Sequence, residues 1–240
     1  MTSTAAIVLA GGSGSRMGPG PNKPYLTAAG RPLLWYSLRA FELAGVEHVV
    51  VVSRPEDLDG VPDAVVKTSG GRTRTASEHA GLAAIDNLDV DIVMIHDAAR
   101  PFLHPDLVRR LEAAAATTGG AVPALDPARP LWRRTSRGLV LAPSGARLVQ
   151  TPQAFRAAPL RTAYRLAAGA DAEAADTAEI VERFGDLEIA VVAGDPLAFK
   201  VTYREDIGRL EEAAVEWSRL VERDSGEGGN DVVPRAPVPG

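Results

Sequence analysis

The residues best suited to chemistry begin where an apolar run, Ala6-Ile7-Val8-Leu9, passes into Ala10-Gly11-Gly12-Ser13-Gly14-Ser15-Arg16-Met17, with Lys23-Pro24 a short way on. A glycine-rich turn after a strand lets backbone N–H groups face an anion. Arg16 offers a planar fork and Lys23 a point charge, a pair suited to clamping a triphosphate. A P-loop would need Gly-Lys-Ser/Thr at the end of the loop. A dinucleotide fingerprint would need a third glycine where Met17 stands. Such a loop can also serve only to turn the chain, and its cations can be solvated surface charges; as a pair they suit displacement at an α-phosphorus, which asks for alignment and for neutralisation of growing charge rather than for a protein nucleophile.

Three further segments gather the same residue types. Ile95-His96-Asp97-Ala98-Ala99-Arg100-Pro101 puts an acid and an arginine at the end of an apolar run, where open α/β sheets bind ligands. Asp97 can meet a ribose hydroxyl or a magnesium ion, or serve simply as a helix cap or an arginine's partner. His96 reads as a packed histidine, since no second ligand stands at a metal spacing. Gly70-Gly71-Arg72-Thr73-Arg74-Thr75-Ala76-Ser77 opens a helix with amides, cations and hydroxyls together, able to hold a base or a phosphate and equally able to be an ordinary capped start. Lys200, in Phe199-Lys200-Val201-Thr202, reads as a cation within an apolar strand, costly there unless it meets an anion or snorkels to water.

Short β-branched runs at 6–9, 49–52, 64–66 and 92–95 alternate with helical patterns at Pro32 to Ala44, Thr75 to Ile85 and Pro105 to Thr118. That alternation predicts an α/β fold with a doubly wound, mostly parallel sheet. Beyond Gly119-Gly120 come a strand at 121–125 and a Pro- and Arg-rich stretch. Short runs at 138–142 and 146–150 then predict a protruding β-arm over about 126–150. Helices at about 157–168 and 176–184, a strand at 188–192 and a helix at about 205–223 complete a single domain over 1–223. The tail 224–240 is Gly, Pro and charge without period, a composition that favours disorder.

Composition narrows the function classes. The 240 residues include no cysteine, which removes disulfides, zinc-thiolate sites and thiol nucleophiles and suits a reducing compartment. With 26 basic against 31 acidic residues, a net charge of −5, the chain lacks the basic stripe that nucleic acid requires. No apolar run approaches the ~18 residues of a membrane span, and the amino terminus does not read as a secretion signal. No nucleic-acid partner, no membrane span and a cytoplasmic location are expected.

In joint order the Gly-rich loop with Arg16 and Lys23-Pro24, the Gly-Gly-x-x-Arg-x-x-Ser at 70–77, His-Asp-Ala-Ala-Arg-Pro, Gln150-Thr151-Pro152-Gln153-x-Phe155 and Lys200-Val201-Thr202 resemble one family. It is the cytidylyltransferases that make 4-diphosphocytidyl-2-C-methylerythritol in the non-mevalonate isoprenoid pathway. The resemblance spans about residues 5 to 212. It implies a Rossmann-like domain whose β-arm embraces its twin in a homodimer, and transfer of CMP from CTP, with magnesium or another divalent cation, to a small phosphorylated polyol. By matching position, Arg16, Lys23 and Lys200 would stabilise charge around the α-phosphorus. Ala10, Gly11, Gly12, Ser13 and Gly14 would hold the triphosphate, with Gly71, Arg74 and Ser77 around the cytosine. Asp97 and Ala98 would contact the ribose, Arg100 and Asp97 the acceptor, and Asp176 the acceptor side.

Three departures from the family pattern all fall on the acceptor. Asp126-Pro127-Ala128-Arg129 replaces an Asp-Thr-x-Lys motif, Pro143 stands where an arm arginine belongs, and Ala175 replaces the threonine before Asp176. Either Arg133, Arg134, Arg137 or Arg147 takes over the missing arm cation, or the acceptor is another molecule such as ribitol phosphate, a sugar phosphate or a phosphonate. A uridylyl- or thymidylyltransferase shares the first loop, and a non-catalytic nucleotide-binding protein is the rival from another class.

Overall fold

The structure, a computed structural model, describes residues 2–12 and 22–225. Its elements in chain order are β1 (Thr4–Leu9), β2 (Thr27–Ala28), β3 (Arg31–Pro32), α1 (Leu33–Ala44), β4 (His48–Ser53), β5 (Val66–Ser69), α2 (Arg74–Ala84), β6 (Ile92–Asp97), α3 (Pro105–Thr118), β7 (Gly119–Leu125), β8 (Trp132–Thr135), β9 (Gly138–Leu141), β10 (Leu148–Val149), β11 (Gln153–Arg156), α4 (Ala157–Gly169), α5 (Thr177–Phe184), β12 (Glu188–Ala193) and α6 (Leu210–Ser225). The α/β class and its mostly parallel sheet are as expected. Eight strands join in the order β10-β7-β11-β6-β1-β4-β5, with β12 on the other edge of β7. The pairs β1–β4, β1–β6, β4–β5 and β7–β12 are parallel, while β11 runs antiparallel between β6 and β7.

Side-chain alternation along β1 shows why the sheet is covered on both faces. Ala6 and Val8 point into a core shared with α1, α3 and α6, whereas Ala5 and Ile7 point into a second core under α2, α4 and α5. A strand buried on both sides must be apolar throughout, which is how its run reads in the sequence. The β8–β9 hairpin, in register from Trp132 opposite Leu141 to Thr135 opposite Gly138, stands apart from the sheet as the arm.

Some boundaries differ from expectation. The run expected at 64–66 is a turn up to Val65, whose N–H bonds the Pro62 carbonyl, and pairing with β4 begins only at Val66. The last helix is preceded by a 3₁₀ turn, Arg204–Arg209, so its α-helical part starts at Leu210. The helix expected from Asp176 starts at Thr177, with Asp176 as its N-cap.

Candidate active site

Because β1, β4, β5 and β6 run parallel, the segments that leave their carboxyl ends gather at one edge of the sheet. Asp97, the last residue of β6, is the hub. Its side chain is 13% exposed; Oδ1 accepts from Arg74 Nη2 at 3.3 Å and Oδ2 from Lys200 Nζ at 2.6 Å. Burial alone would raise this carboxyl, but the Arg74 guanidinium and the Lys200 ammonium hold it well below the usual carboxylate range, with Arg100 adding to the effect. Asp97 therefore stays ionised, and the cations around it are held in place.

Lys200 does not lie in a strand. After β12 the turn at Asp195 to Ala198 ends the pairing, and the chain crosses the sheet edge with the Val201 N–H bonded to the Ala99 carbonyl at 2.8 Å. The anion that the lysine needs is Asp97. Two residues on, the Thr202 carbonyl accepts from Lys23 Nζ at 3.1 Å, so one segment brings Lys23 and Lys200 together. Lys23 opens a 3₁₀ turn, Lys23–Tyr25, and is itself buried.

Arg16, Ser13 and Gly14 lie outside the described residues, but the two ends of their loop are fixed. The Ala10 N–H bonds the Val52 carbonyl at 2.7 Å, and the Ala10 carbonyl accepts from Asn22 Nδ2 at 2.9 Å. Asn22 also donates to Asp57 Oδ2 at 2.9 Å, an oxygen that Arg54 Nε holds at 2.6 Å. Gly11 and Gly12 leave β1 between these anchors. Ala98 is fully buried, and its N–H bonds the Leu9 carbonyl at 3.0 Å, tying the start of the loop to the Asp97 turn.

At the start of α2, Thr73 caps the helix by accepting from the Ala76 N–H at 3.1 Å, and the Gly71 N–H donates to Ser77 Oγ at 3.2 Å. A Cβ on Gly71 would lie 2.3 Å from the Cβ of Ala76, so only glycine allows this approach. Arg74 is thereby turned toward Asp97.

His96 is fully buried, and burial pushes it down to about 4. Since the Asp97 N–H donates to Thr151 Oγ1 at 3.0 Å, the Thr151 hydroxyl proton is left to donate to His96 Nδ1 at 3.2 Å, and Nε2 donates to the Arg100 carbonyl at 3.1 Å. A neutral, packed histidine with both nitrogens engaged supports the site from below. Arg100 sends Nη1 to the Ala198 carbonyl at 3.0 Å; burial lowers its pKa, Asp97 opposes that, and Arg74 adds to it. Asp176 stands outside this cluster, its Oδ1 accepting from the Glu179 N–H and its Oδ2 from Gln153 Nε2.

Several supporting residues carry no assigned role in the sequence reading. Gln150 clamps the turn before Lys200, with Nε2 donating to the carbonyls of Asp195 and Ala198 at 2.8 and 3.1 Å and Oε1 accepting from the Asp195 N–H at 2.9 Å. Its motif mates Thr151 and Gln153 hold Asp97 and α5 in turn. The string Gln-Thr-Pro-Gln was the available signal, and its work is positioning.

Beside Lys200 opens a cavity of about 430 Å³, with Arg100, Lys200 and Arg147 among its charged lining and Val149 and Phe199 among its apolar lining. Of the four arm arginines, Arg147 is the one that faces it; Arg147 Nε also pairs with Asp126 Oδ1 at 3.0 Å. Among the described residues no group of three His, Asp or Glu side chains is placed to hold a metal. Magnesium characteristically takes one or two carboxylates and otherwise phosphate and water oxygens; the carboxylate at this sheet edge, Asp97, has both oxygens bonded to Arg74 and Lys200.

The model of the family 2-C-methyl-D-erythritol 4-phosphate cytidylyltransferase matches residues 4–216. The chain belongs to this family. It is 38% identical over 218 residues to the 2-C-methyl-D-erythritol 4-phosphate cytidylyltransferase of Cereibacter sphaeroides, covering 87% of this chain and 95% of that one. Against the bifunctional enzyme IspD/IspF of Rhodopseudomonas palustris the identity is 41% over 220 residues, 87% of this chain but 54% of the relative. The chain thus spans about half the length of the bifunctional relatives. The crystal structure of the family member from Thermus thermophilus superposes with a TM-score of 0.72 at 32% identity, covering 87% of this chain and 98% of that one. No helix among the described residues is long and apolar enough to cross a membrane.

Proposed function

We propose that this chain transfers a cytidylyl group from CTP to 2-C-methyl-D-erythritol 4-phosphate, giving 4-diphosphocytidyl-2-C-methyl-D-erythritol and pyrophosphate. The observation that carries this reading is the Asp97 hub, which arrays Arg74 and Lys200 at the sheet edge with Lys23 joined through Thr202. An oxygen of the acceptor's phosphate attacks the α-phosphorus in line. The bond from that phosphorus to the pyrophosphate oxygen breaks, and its electron pair leaves with pyrophosphate. Lys23, Lys200 and Arg16 neutralise the charge that grows on the way. Arg74 with Gly71 and Ser77 holds the base, Asp97 and Ala98 hold the ribose, and the loop from Ala10 holds the phosphates. A divalent cation bound to the triphosphate would supply further charge neutralisation, with Asp97 as the nearby carboxylate.

The cavity beside Lys200 is the acceptor site in this reading, with Arg100 and Arg147 as its phosphate contacts. Arg147 takes the place left by Pro143. Exposed apolar side chains on the arm, Trp132 at 60%, Leu139 at 66% and Leu141 at 60%, support a homodimer in which each arm covers its partner. A reducing, cytoplasmic setting suits a chain without cysteine.

Pyrophosphate release from CTP and magnesium with 2-C-methyl-D-erythritol 4-phosphate is expected at an ordinary enzymatic rate of about 1–10³ s⁻¹. Turnover only with another polyol or sugar phosphate would favour the second reading, in which Pro127, Pro143 and Ala175 mark a changed acceptor. CTP binding without turnover on any acceptor would overturn both.

A further inference from the structure

Arg74 has a second carboxylate partner that the reaction does not use. Glu78 lies one helical turn further along α2, where a residue four positions on shares a face with Arg74. It is fully buried. Its Oε1 is bonded to Arg74 Nη1 and accepts from Thr177 Oγ1, in the first turn of α5, at 2.7 Å. Its Oε2 is buried, as is the hydroxyl of Tyr164 on α4, which lies against the same carboxyl. Burial raises the Glu78 carboxyl, against the pull of Arg74 and the hydrogen bonds it receives. The Tyr164 phenol is raised by burial and by Glu78.

A carboxylate at the junction of three helices is an expensive filler, and an apolar side chain would pack there at lower cost. What the acid adds is a second hold on a rigid fork. A guanidinium is planar with its donors at fixed angles, so anchoring Nη1 on Glu78 and Nη2 on Asp97 fixes the plane of Arg74 before any ligand arrives. We infer that Glu78, oriented by Thr177, is a positioning residue for nucleotide binding and acts through Arg74. This rests on the cytidylyltransferase reading, in which Arg74 faces the nucleoside of CTP. Without the negative charge behind it, Arg74 keeps only its single contact on Asp97 Oδ1, and its guanidinium is free to rotate out of the plane that faces the nucleotide.

The test is Glu78→Gln, which keeps the size of the side chain and removes its charge. The KM for CTP should rise about tenfold, the low end of losing a charge-assisted contact, while kcat and the KM of the acceptor change little. In an Arg74→Lys background, where the fork is absent, the same substitution should add almost nothing to the CTP KM, since effects transmitted through one residue are not additive. In the free protein, ¹⁵N spectra of the arginine side chains should show slow rotation of one guanidinium, assigned to Arg74 by its loss in Arg74→Lys and averaged in Glu78→Gln. Should Glu78→Gln fail to fold, Thr177→Val carries the same test, with a CTP KM raised about threefold. A CTP KM within about twofold of the parent in either variant, with only a lower melting temperature, would reduce Glu78 to packing. If the parent protein binds no CTP, the functional reading fails, yet the arginine spectra still decide whether Glu78 orders Arg74.

Discussion

Asp97 is held at both carboxylate oxygens and at its backbone N–H, with 13% of its side chain exposed. Arg147, on the far side of the reaction, has 44% of its side chain exposed and pairs with an Asp126 that is 83% exposed. Arg74 and Lys200 keep 22% and 38% of their side chains exposed, so the difference lies in the acid: stripping cations from the largely covered Asp97 leaves a poorly solvated charge, whereas the pair on the exposed Asp126 contributes little. The cluster around Asp97 is thus specified by the fold itself, through the ends of β1 and β6, the start of α2 and the Gln150 clamp. On the arm side, side chains can be exchanged without disturbing the sheet. Of the three departures read in the sequence, Pro127 and Pro143 lie along the arm, whereas Ala175 stands just before α5 with its N–H on Glu179 Oε2, and none of the three lines the cavity beside Lys200.

The contrast breaks first if the cations near Asp97 prove dispensable. Lys200→Ala and Lys23→Ala should each lower kcat by about 10²–10³, the loss on removing one preorganised charge-stabilising group. Steady-state rates near those of the parent in both would end their assignment to the reaction.

Support beneath the nucleotide side can be read from the pH dependence of folding. His96 titrates near 4 in the folded chain and near 6.5 unfolded, so the unfolded state binds the extra proton between those values. Its contribution is complete above about pH 6.5 and declines as pH falls toward 4, by on the order of 3 kcal/mol. Asp97, with its carboxyl depressed, contributes stability above its unfolded value near 3.9 that is lost at still lower pH. Denaturation followed over this range should show the decline for the parent and a flatter curve for His96→Gln. An unchanged slope would mean that His96 is not held neutral.

On the arm side, Arg147→Ala should raise the acceptor's KM about tenfold and leave the CTP KM as it was. A rise in the CTP KM instead would show that the two sides are not separable. Arg133→Ala and Arg134→Ala, on the exposed hairpin, should shift the unfolding free energy by no more than ~0.5 kcal/mol, and a denaturant titration that found more would give the arm a structural role.

Much of the cluster around Asp97 was legible because its residues sit near the ends of short apolar runs. The runs of β1, β4 and β6 are continuous and β-branched, so the strands followed from the sequence, as did the place of Asp97 at the carboxyl end of β6. Less legible was whatever depends on contacts between distant segments. Lys200 was expected in a strand, since its apolar neighbours read as one, but those neighbours pack over the sheet edge while the lysine reaches Asp97, 103 residues away. Gln150 and Thr151 act on partners 45 to 55 residues distant, which no local pattern encodes. Arg74 and Glu78 carry the spacing of an ordinary surface pair. The packing of α4 and α5 buries Glu78, while Arg74 keeps 22% of its side chain exposed. Asn22 and Asp57, which fix the loop ends, likewise meet only in the folded chain.

The most direct test is calorimetric titration of the full chain with CTP and magnesium in the absence of any acceptor, set beside UTP and dTTP. A nucleotide side built in advance of the acceptor should bind one CTP per chain, with the other two nucleotides weaker by at least about tenfold. Equal binding of all three, or CTP binding that appears only once the acceptor is added, would contradict it.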